Sequence, residues 1–287
     1  MILTGFTDEA SSDIDKQIEV TKALGWNYLS ARTMGDNNIH EISDAAFEVV
    51  CGKLENANIK VAEFGTLIGS WSKTIDSDWE ITLGEVERCI PRMQRLGVRY
   101  ARIMSYAQNK WGDDQAEQER FRRLREIVAR FKDAGLEALH ENCMNWGGFS
   151  AEHTLRLLDE VPDMRLVFDT GNPIFQRDRS KSEPFPWQHP FEFYQKIKHA
   201  IVHVHVKDAI MHQEEGEPEY TFAGEGQAQL DLIFSDLQQS NYKGFVAIEP
   251  HMGKVFHIAD QVSNPQKEYD IYLEFGQRFQ QYINEIA

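Results

Sequence analysis

Short apolar runs of strand length recur along the chain. The longer segments between them have apolar residues at the spacing of a helix. Buried strands produce runs of this length when turn residues bound them. They recur every 25 to 45 residues or so, the spacing typical of parallel strand-helix-strand units. We predict eight strands, at Ile2–Phe6, Trp26–Ala31, Lys60–Phe64, Arg99–Met104, Leu136–His140, Arg165–Phe168, Ile201–Val206 and Phe245–Ile248.

The segments between these runs have helical spacing. In one of them Ile14, Ile18 and Leu24 fall on one face of a helix, and charged residues occupy the opposite face. Several helix-to-strand joints carry Gly or Asn just before the strand, and these residue types tolerate the left-handed conformation that ends a helix. The residues at these joints are Gly25, Asn58, Gly97, Gly135 and Gly244.

Eight strand-helix units predict an α/β fold, a single (β/α)₈ TIM barrel that occupies residues 1–287. An open doubly wound sheet is the alternative, but the sequence lacks the GxGxxG fingerprint after its first strand. No Ser/Gly-rich linker marks a domain boundary. The two longest irregular stretches, Gly171–Pro190 and Asp208–Gly226, follow strands on the side where a barrel builds its active site.

The charge balance narrows the range of partners. Lys and Arg number 30 against 46 Asp and Glu, so the formal net charge is −16, which repels phosphate backbones and disfavours a nucleic-acid binder. Hydrophobic residues make up 41% of the chain, too many for a disordered protein. The sequence leaves a homo-oligomer open, because Trp71, Trp79 and Trp111 could mark either a subunit interface or a lid.

The cysteines and the N-terminus indicate a cellular compartment. Cys51, Cys89 and Cys143 are odd in number and lack CxxC spacing, which fits a reducing environment better than a disulfide framework. The first residues turn acidic too early for a signal peptide, and no apolar stretch reaches the roughly 18 residues of a membrane span. We therefore expect a cytoplasmic protein that does not cross a membrane.

Polar residues that could bind a metal follow four consecutive predicted strands. All strand C-termini of a parallel barrel face one rim, so Glu141, Asp169, His205 and Glu249 should converge there. Three carboxylates and one imidazole suit Mn²⁺ or Mg²⁺ first, with Co²⁺ and Zn²⁺ as alternatives. Without a cation or a shared proton, such close carboxylates would repel one another strongly.

Simpler interpretations exist for several of these residues. Asp169 could cap the following helix, and either His203 or His205 could be a hydrogen-bonded core histidine. Lys207 could stabilise an oxyanion or form a salt bridge with Glu249 or Asp208. On the rim we predict further substrate-binding residues, where charged groups and an aromatic ring usually hold a sugar: Arg32, Glu63, Arg179 and Trp187.

At these residues the chain resembles the xylose isomerase-like barrel superfamily, which includes sugar isomerases, ketose 3-epimerases, hydroxypyruvate isomerase, inosose dehydratase and endonuclease IV. The resemblance covers nearly the whole chain, and the order and spacing of its motifs carry it. These motifs are Thr7-Asp8-Glu9, His140-Glu141-Asn142, Asp169-Thr170-Gly171-Asn172, His203-Val204-His205-Val206-Lys207-Asp208, Gly224-Glu225-Gly226 and Ile248-Glu249-Pro250.

The resemblance implies a role for each matching position. Glu141, Asp169, His205 and Glu249 would hold one divalent metal ion per chain, and Glu141 and Glu249 would form an acid/base pair. His203 would contact the metal ligands from behind and would not bind the metal itself. Asn172 stands where the 3-epimerases have a histidine, so it is a substrate-binding candidate, and this departure leaves the identity of the substrate open. The additional ligands of a trinuclear endonuclease IV site are missing.

The sequence therefore predicts a metal-dependent sugar isomerase or epimerase that works through a metal-stabilised enediolate. Its partner would be a small sugar or keto-sugar. One alternative is a metal-dependent dehydratase or lyase acting on a keto-sugar or keto-glycoside. A second alternative is a barrel that binds a sugar without catalysis, for which three converging carboxylates would not be needed.

Overall fold

The computed structural model describes residues 1–212, 217–253 and 264–286, and it contains the predicted barrel. Eight parallel strands each precede a helix in the chain. The strands are β1 (Ile2–Gly5), β2 (Tyr28–Ala31), β3 (Lys60–Gly65), β4 (Tyr100–Ile103), β5 (Glu137–Glu141), β6 (Arg165–Asp169), β7 (Ile201–Val206) and β8 (Phe245–Ile248).

The strands pair in an order that nearly closes the sheet on itself. From one end the order is β1, β8, β7, β6, β5, β4, β3 and β2, and a parallel bridge between Phe6 and Ser30 connects the two ends. In the register of this sheet, His205 on β7 lies opposite Asp169 on β6 and Ala247 on β8. The fold prediction is confirmed, because closure in this order brings the C-terminal ends of all eight strands to one rim.

In the described part of the chain, one α-helix follows each strand. The helices are α1 (Ile14–Ala23), α2 (Asp44–Ala57), α3 (Trp79–Leu96), α4 (Glu117–Asp133), α5 (Ala151–Glu160), α6 (Pro190–Ile197), α7 (Leu230–Gln239) and α8 (Pro265–Glu285). Side chains such as those of Asp13 and Ser43 accept a backbone N–H at the helix start, as expected for N-caps. The apolar helix faces pack on the sheet in two buried clusters, one along the first half of the chain and the other along the second.

Aromatic rings fill the N-terminal end of the barrel interior. The rings of Tyr28 and Phe245 lie 5.0 Å apart, and Tyr100 lies 6.5 Å from Phe245. His203 stacks on Phe245 at 5.7 Å. This layer seals the bottom of the barrel, so the polar residues nearer the other end are reached only from the C-terminal rim.

One predicted helix end is wrong. Gly25, Asn58, Gly97 and Gly135 have the expected positive φ, but at the joint before β8 it is Asn241 that is left-handed, with φ 55°. Gly244 serves a close approach instead, because a Cβ there would lie 2.6 Å from the carbonyl oxygen of Val202. The sequence pattern did not distinguish these two uses of glycine.

Short antiparallel hairpins occupy two of the loops at the C-terminal rim. Thr33–Met34 pairs with Asn37–Asn38 after β2, and Asp208–Ile210 pairs with Glu219–Thr221 after β7. Among the described residues, no helix is both long enough and apolar enough to cross a membrane.

Candidate metal centre and cavity

The four side chains predicted as metal ligands meet at the C-terminal ends of β5 to β8. One donor atom from each of Glu141, Asp169, His205 and Glu249 lies within 4.8 Å of the donor atoms of the others. Their exposed fractions are 1%, 0%, 0% and 3%, so the group is buried. We refer to these four residues as the quartet.

Glu141 and His205 are held by neighbours on β3 and β4. Arg102 donates to Glu141 Oε2 at 3.1 Å, and His205 Nδ1 lies 3.4 Å from Glu141 Oε1. The other ring nitrogen of His205, Nε2, lies 2.9 Å from Glu63 Oε1. Burial alone would lower the pKa of His205, but Glu63 and Glu141 raise it to about 10. Arg102 and His205 in turn keep the pKa of Glu141 below its usual value despite burial.

Asp169 is oriented by the backbone of the loop that it begins. Its Oδ1 accepts the N–H groups of Gly171 and Asn172 at 2.9 and 2.8 Å. Its own N–H donates to Asn142 Oδ1 at 2.7 Å, while Oδ2 lies 3.3 Å from Lys207 Nζ. Burial raises the pKa of Asp169 to about 6, and the neighbouring carboxylates add to the increase against the effect of Lys207. A third negative charge in the quartet is therefore costly.

Glu249 lies between two cations. Arg32 donates to Oε1, and Lys207 Nζ lies 3.3 Å from Oε2. Arg32 is itself anchored by Asp8, to which its Nε donates at 2.8 Å, and by Glu9 at 3.3 Å. Burial opposes the ionisation of Glu249, but nearby positive charges, of which Lys207 has the largest effect, hold the pKa of Glu249 well below its usual range. Glu249 is therefore ionised at neutral pH.

The quartet has the donor chemistry of a divalent metal site. Asp169 Oδ2 and Glu249 Oε2 are both buried and accept no well-oriented hydrogen bond from the described residues, although each lies 3.3 Å from Lys207 Nζ. Both oxygens therefore keep lone pairs that a cation could use. Three carboxylates and one imidazole match the ligands that hard divalent cations take. The residues present therefore fit a cation whose charge would offset the repulsion that raises the pKa of Asp169.

A cavity of about 530 Å³ opens above Glu141 and Glu249. Asn172 and Lys207 also line it, and both of the long loops that the sequence analysis noted contribute walls, through Phe175 in one and Tyr220 in the other. Its volume lies within the roughly 300 to 1,000 Å³ typical of small-molecule sites.

The structure places the other predicted substrate-binding residues in different surroundings. Arg32 lines the cavity, but its guanidinium is committed to carboxylates. Glu63 and His203 are fully buried inside the barrel, with His203 Nε2 3.0 Å from Glu63 Oε1, and they do not line the cavity. Lys207 pairs with Glu249, as one of the sequence alternatives held, and with Asp169 rather than Asp208.

Arg179 and Trp187 were expected on the rim beside the substrate, and neither lines this cavity. Arg179 lies over the Phe185 ring, 4.4 Å from its centroid. The guanidinium of Arg177 covers Trp187 at 3.6 Å, so that ring already has a partner. Cation–π packing within the loop at residues 177–187 satisfies these groups, and sequence position alone could not reveal this.

Several residues of the site were not singled out from the sequence. Arg102, which orients Glu141, occupies a strand that is otherwise apolar, and a charged residue in such a strand is a signal that was available. His251 also lines the cavity, and its Nδ1 lies 2.8 Å from Glu9 Oε1. Its place two residues after Glu249 was the only sequence hint.

Comparison with known proteins agrees with this architecture. A sequence model of the xylose isomerase-like TIM barrel family matches residues 18–276. A curated relative, the inosose dehydratase of Clostridium botulinum (strain Alaska E43 / Type E3), is 25% identical over 170 residues, covering 54% of this chain and 49% of the relative. The match thus spans about half the length of that relative.

Solved structures share the fold over almost the entire chain. The IolI protein with a bound zinc atom superimposes with a TM-score of 0.72 at 15% identity, covering 99% of this chain and 98% of the other. D-allulose 3-epimerase from Methylomonas sp. in complex with D-allulose gives 0.68 at 15% identity, covering 98% and 96%. Since the family model matches most of the sequence, the chain belongs to the xylose isomerase-like TIM barrel family.

Proposed function

We propose that the protein is a divalent-metal-dependent isomerase or epimerase of a sugar or keto-sugar, with Glu141 and Glu249 as its acid/base pair. One observation carries the proposal. The four donors of the quartet converge within 4.8 Å, and two of the four residues, Glu141 and Glu249, line a cavity large enough for a sugar. Relatives that act on or bind sugars and polyols, and one solved with zinc, support it.

Glu141, Asp169, His205 and Glu249 would hold the ion, for which an oxygen-rich donor set favours Mn²⁺ or Mg²⁺ over Zn²⁺ or Co²⁺. When bound, such an ion supplies a Lewis acid that polarises a substrate carbonyl and makes the adjacent C–H bond more acidic. The protein would contribute the fixed positions of the four ligands, since each is buried and held by neighbours.

Proton transfer would fall to the two glutamates. Both have a pKa held below the usual value, so both are ionised and able to accept a proton at neutral pH. One carboxylate would remove the proton from the carbon next to the carbonyl. The other, after taking up a proton from solvent, would return that proton to the substrate, and the first would release its own proton to solvent. Return to the opposite face inverts that carbon, whereas return to the neighbouring carbon moves the carbonyl. A positioned general base typically accelerates such a step by about 10² to 10⁴-fold.

Groups already bound to the two glutamates would set their positions. Arg102 orients Glu141 and Arg32 orients Glu249, each through a direct guanidinium–carboxylate contact. Lys207, within 3.4 Å of Asn172 Oδ1, presents an ammonium and an amide side by side on the cavity wall. We assign this pair to the binding of substrate hydroxyl or carbonyl oxygens.

A dehydratase is the second candidate, and the inosose dehydratase relative is the observation that favours it. The same base would remove the proton next to the carbonyl. The second carboxyl group, having taken up a proton from solvent, would then protonate a hydroxyl group β to the carbonyl, which leaves as water, and a carbon–carbon double bond forms. Isomerisation and dehydration thus differ in where the second proton goes.

The test is ¹H NMR in D₂O on the Mn²⁺- or Mg²⁺-loaded protein with a panel of ketoses that includes D-allulose, and of keto-polyols. The proposal expects metal-dependent exchange of a C–H proton, which Glu141→Gln and Glu249→Gln each abolish. Glu41→Gln is the matched control, because Glu41 lines the same cavity outside the quartet. Exchange that persists in both site variants would refute the two-glutamate scheme, and loss of water without epimerisation would establish the dehydratase.

A further inference from the structure

Trp71 differs from the other tryptophans of the chain. All six lie within the described residues, and Trp26 and Trp146 are buried. Three others pack against cations or rings: Trp79 on Arg122 and Arg123, Trp111 on Phe149, Phe185 and Arg179, and Trp187 on Arg177. Trp71 lines the cavity, is 39% exposed, and has no aromatic or cationic partner among the described residues. Its ring surface is available to a ligand.

The loop that carries Trp71 is firmly anchored. Gly69, with φ 61°, packs so close to β4 that a Cβ would lie 2.3 Å from the carbonyl oxygen of Met104. The Gly69 carbonyl accepts the N–H of Tyr106 at 2.7 Å, and Lys73 Nζ donates to Leu67 O at 2.7 Å. A ring on such a loop is preorganised, so a ligand would lose little affinity to ordering it.

The remaining walls favour an uncharged ligand with an apolar face. Phe175 and Tyr220 also line the cavity. Among the described residues that line it, each arginine and lysine is already ion-paired: Arg32 with Asp8 and Glu249, Arg102 with Glu141, and Lys207 with Asp169 and Glu249. The lining residue His251 contacts Glu9. A phosphate would have to compete with these buried carboxylates and would face Asp36 and Glu41, which line the same cavity.

We infer that Trp71 forms an aromatic subsite in this cavity, which binds the apolar face of a second ring joined to the reacting sugar. The substrate would then be an uncharged glycoside rather than a free monosaccharide or a sugar phosphate. The inference rests on the proposed function for the position of the reacting sugar. A cavity of about 530 Å³ leaves room for the second ring.

The test measures binding of three probes to the Mn²⁺-loaded protein by calorimetry and saturation-transfer NMR: phenyl β-D-glucoside, D-glucose and D-glucose 6-phosphate. We expect the phenyl glucoside to bind at least about tenfold more tightly than glucose, a difference of about 1.4 kcal/mol, and the phosphate to bind no more tightly than glucose. Trp71→Ala should remove the advantage. Trp111→Ala is the matched control, because Trp111 is equally exposed at 39% but lies outside the cavity.

Several results would overturn the inference. They are no binding of the phenyl glucoside, an equal loss in both tryptophan variants, tighter binding of the phosphate, or a Trp71→Ala variant that changes oligomeric state but keeps the affinity. Phenyl β-D-glucoside has no free carbonyl and cannot enolise, and unchanged NMR spectra of the two aldose probes during the titration show that binding is scored without turnover. Failure here would therefore leave the exchange chemistry of Glu141 and Glu249 standing, and failure of that chemistry would leave this binding preference standing.

Discussion

Glu63→Gln should weaken divalent metal binding although Glu63 is not one of the four proposed ligands. Its Oε1 lies 2.9 Å from His205 Nε2 and 3.0 Å from His203 Nε2, and all three side chains are fully buried. A carboxylate oxygen can only accept, so the Nε2 of His205 carries its proton toward Glu63. With its pKa raised to about 10, the metal-free ring also carries a proton on Nδ1, which points toward Glu141. A cation that displaced this second proton would meet the Nδ1 lone pair inside the quartet.

The size of the effect follows from this contact. Glutamine keeps the shape, but it is neutral and its NH₂ group cannot accept, so His205 loses a charged acceptor and His203 loses a charged neighbour. A hydrogen bond to a charged group contributes about 1.5 to 3 kcal/mol, which corresponds to about 10- to 150-fold in affinity. Partners behind metal-bound histidines typically change metal affinity by about 10- to 100-fold. We therefore expect a loss of about 10- to 100-fold in Mn²⁺ affinity.

Calorimetric titration of the metal-free protein with Mn²⁺ measures this loss directly, without turnover. Glu85→Gln provides the control, since Glu85 is also a buried carboxylate with basic partners, Lys73 and His40, outside the quartet. Both variants should lose stability, but only Glu63→Gln should lose metal affinity. An unchanged affinity in Glu63→Gln, or an equal loss in Glu85→Gln, would refute the reasoning about the His205 tautomer.

Three further predictions follow from the same contacts. Mn²⁺ at 100 times its dissociation constant should stabilise the fold by about 2.7 kcal/mol in thermal denaturation, an effect that EDTA reverses and that a variant with both Asp169→Ala and His205→Ala should not show. Burial lowers the pKa of His140 to about 4, so its contribution to stability is complete above the unfolded pKa of about 6.5 and declines as the pH falls towards 4. His140 should therefore make the free energy of unfolding, measured with urea, about 2 kcal/mol smaller at pH 5 than at pH 7. The His140→Gln variant should lack this part of the pH dependence. Asp208 accepts four backbone N–H groups, at residues 209, 224, 226 and 228, so Asp208→Ala should cost at least about 1 to 3 kcal/mol, and an unchanged melting temperature would contradict this role.

The barrel itself was predictable because it depends on local signals repeated eight times. The runs that became β7 and β8 have the predicted bounds, and the other strands differ only by one or two residues at their ends. The period of the apolar residues and the length of each apolar run distinguish a buried strand from a one-sided helix. The order of strands and helices then predicts the fold class. The left-handed joint before β8 was missed because glycine serves both turns and close approaches, and only the neighbouring chain distinguishes the two.

The convergence of the quartet could also be predicted, because in a parallel barrel a residue at a strand end has a known place on one rim. The depth at which a side chain lies inside the barrel could not be predicted from the sequence. Glu63 lies near a strand end in the sequence, as the quartet does, and His203 lies two residues before His205 on the same strand, yet neither Glu63 nor His203 lines the cavity. The β2–β3 and β6–β7 pairings each contain a register shift, which short-range sequence patterns do not encode.

The sequence by itself determined the element order, the barrel and the four polar strand ends, since each follows from residue type and period along the chain. The tertiary structure decided which charges pair, which nitrogen of His205 faces the quartet, and which tryptophan ring lacks an aromatic or cationic partner among the described residues. Those outcomes depend on distances between residues far apart in the chain, such as Arg32 and Glu249. At a few ångströms in a buried site, such distances govern both the energy of a charge and the proton it carries.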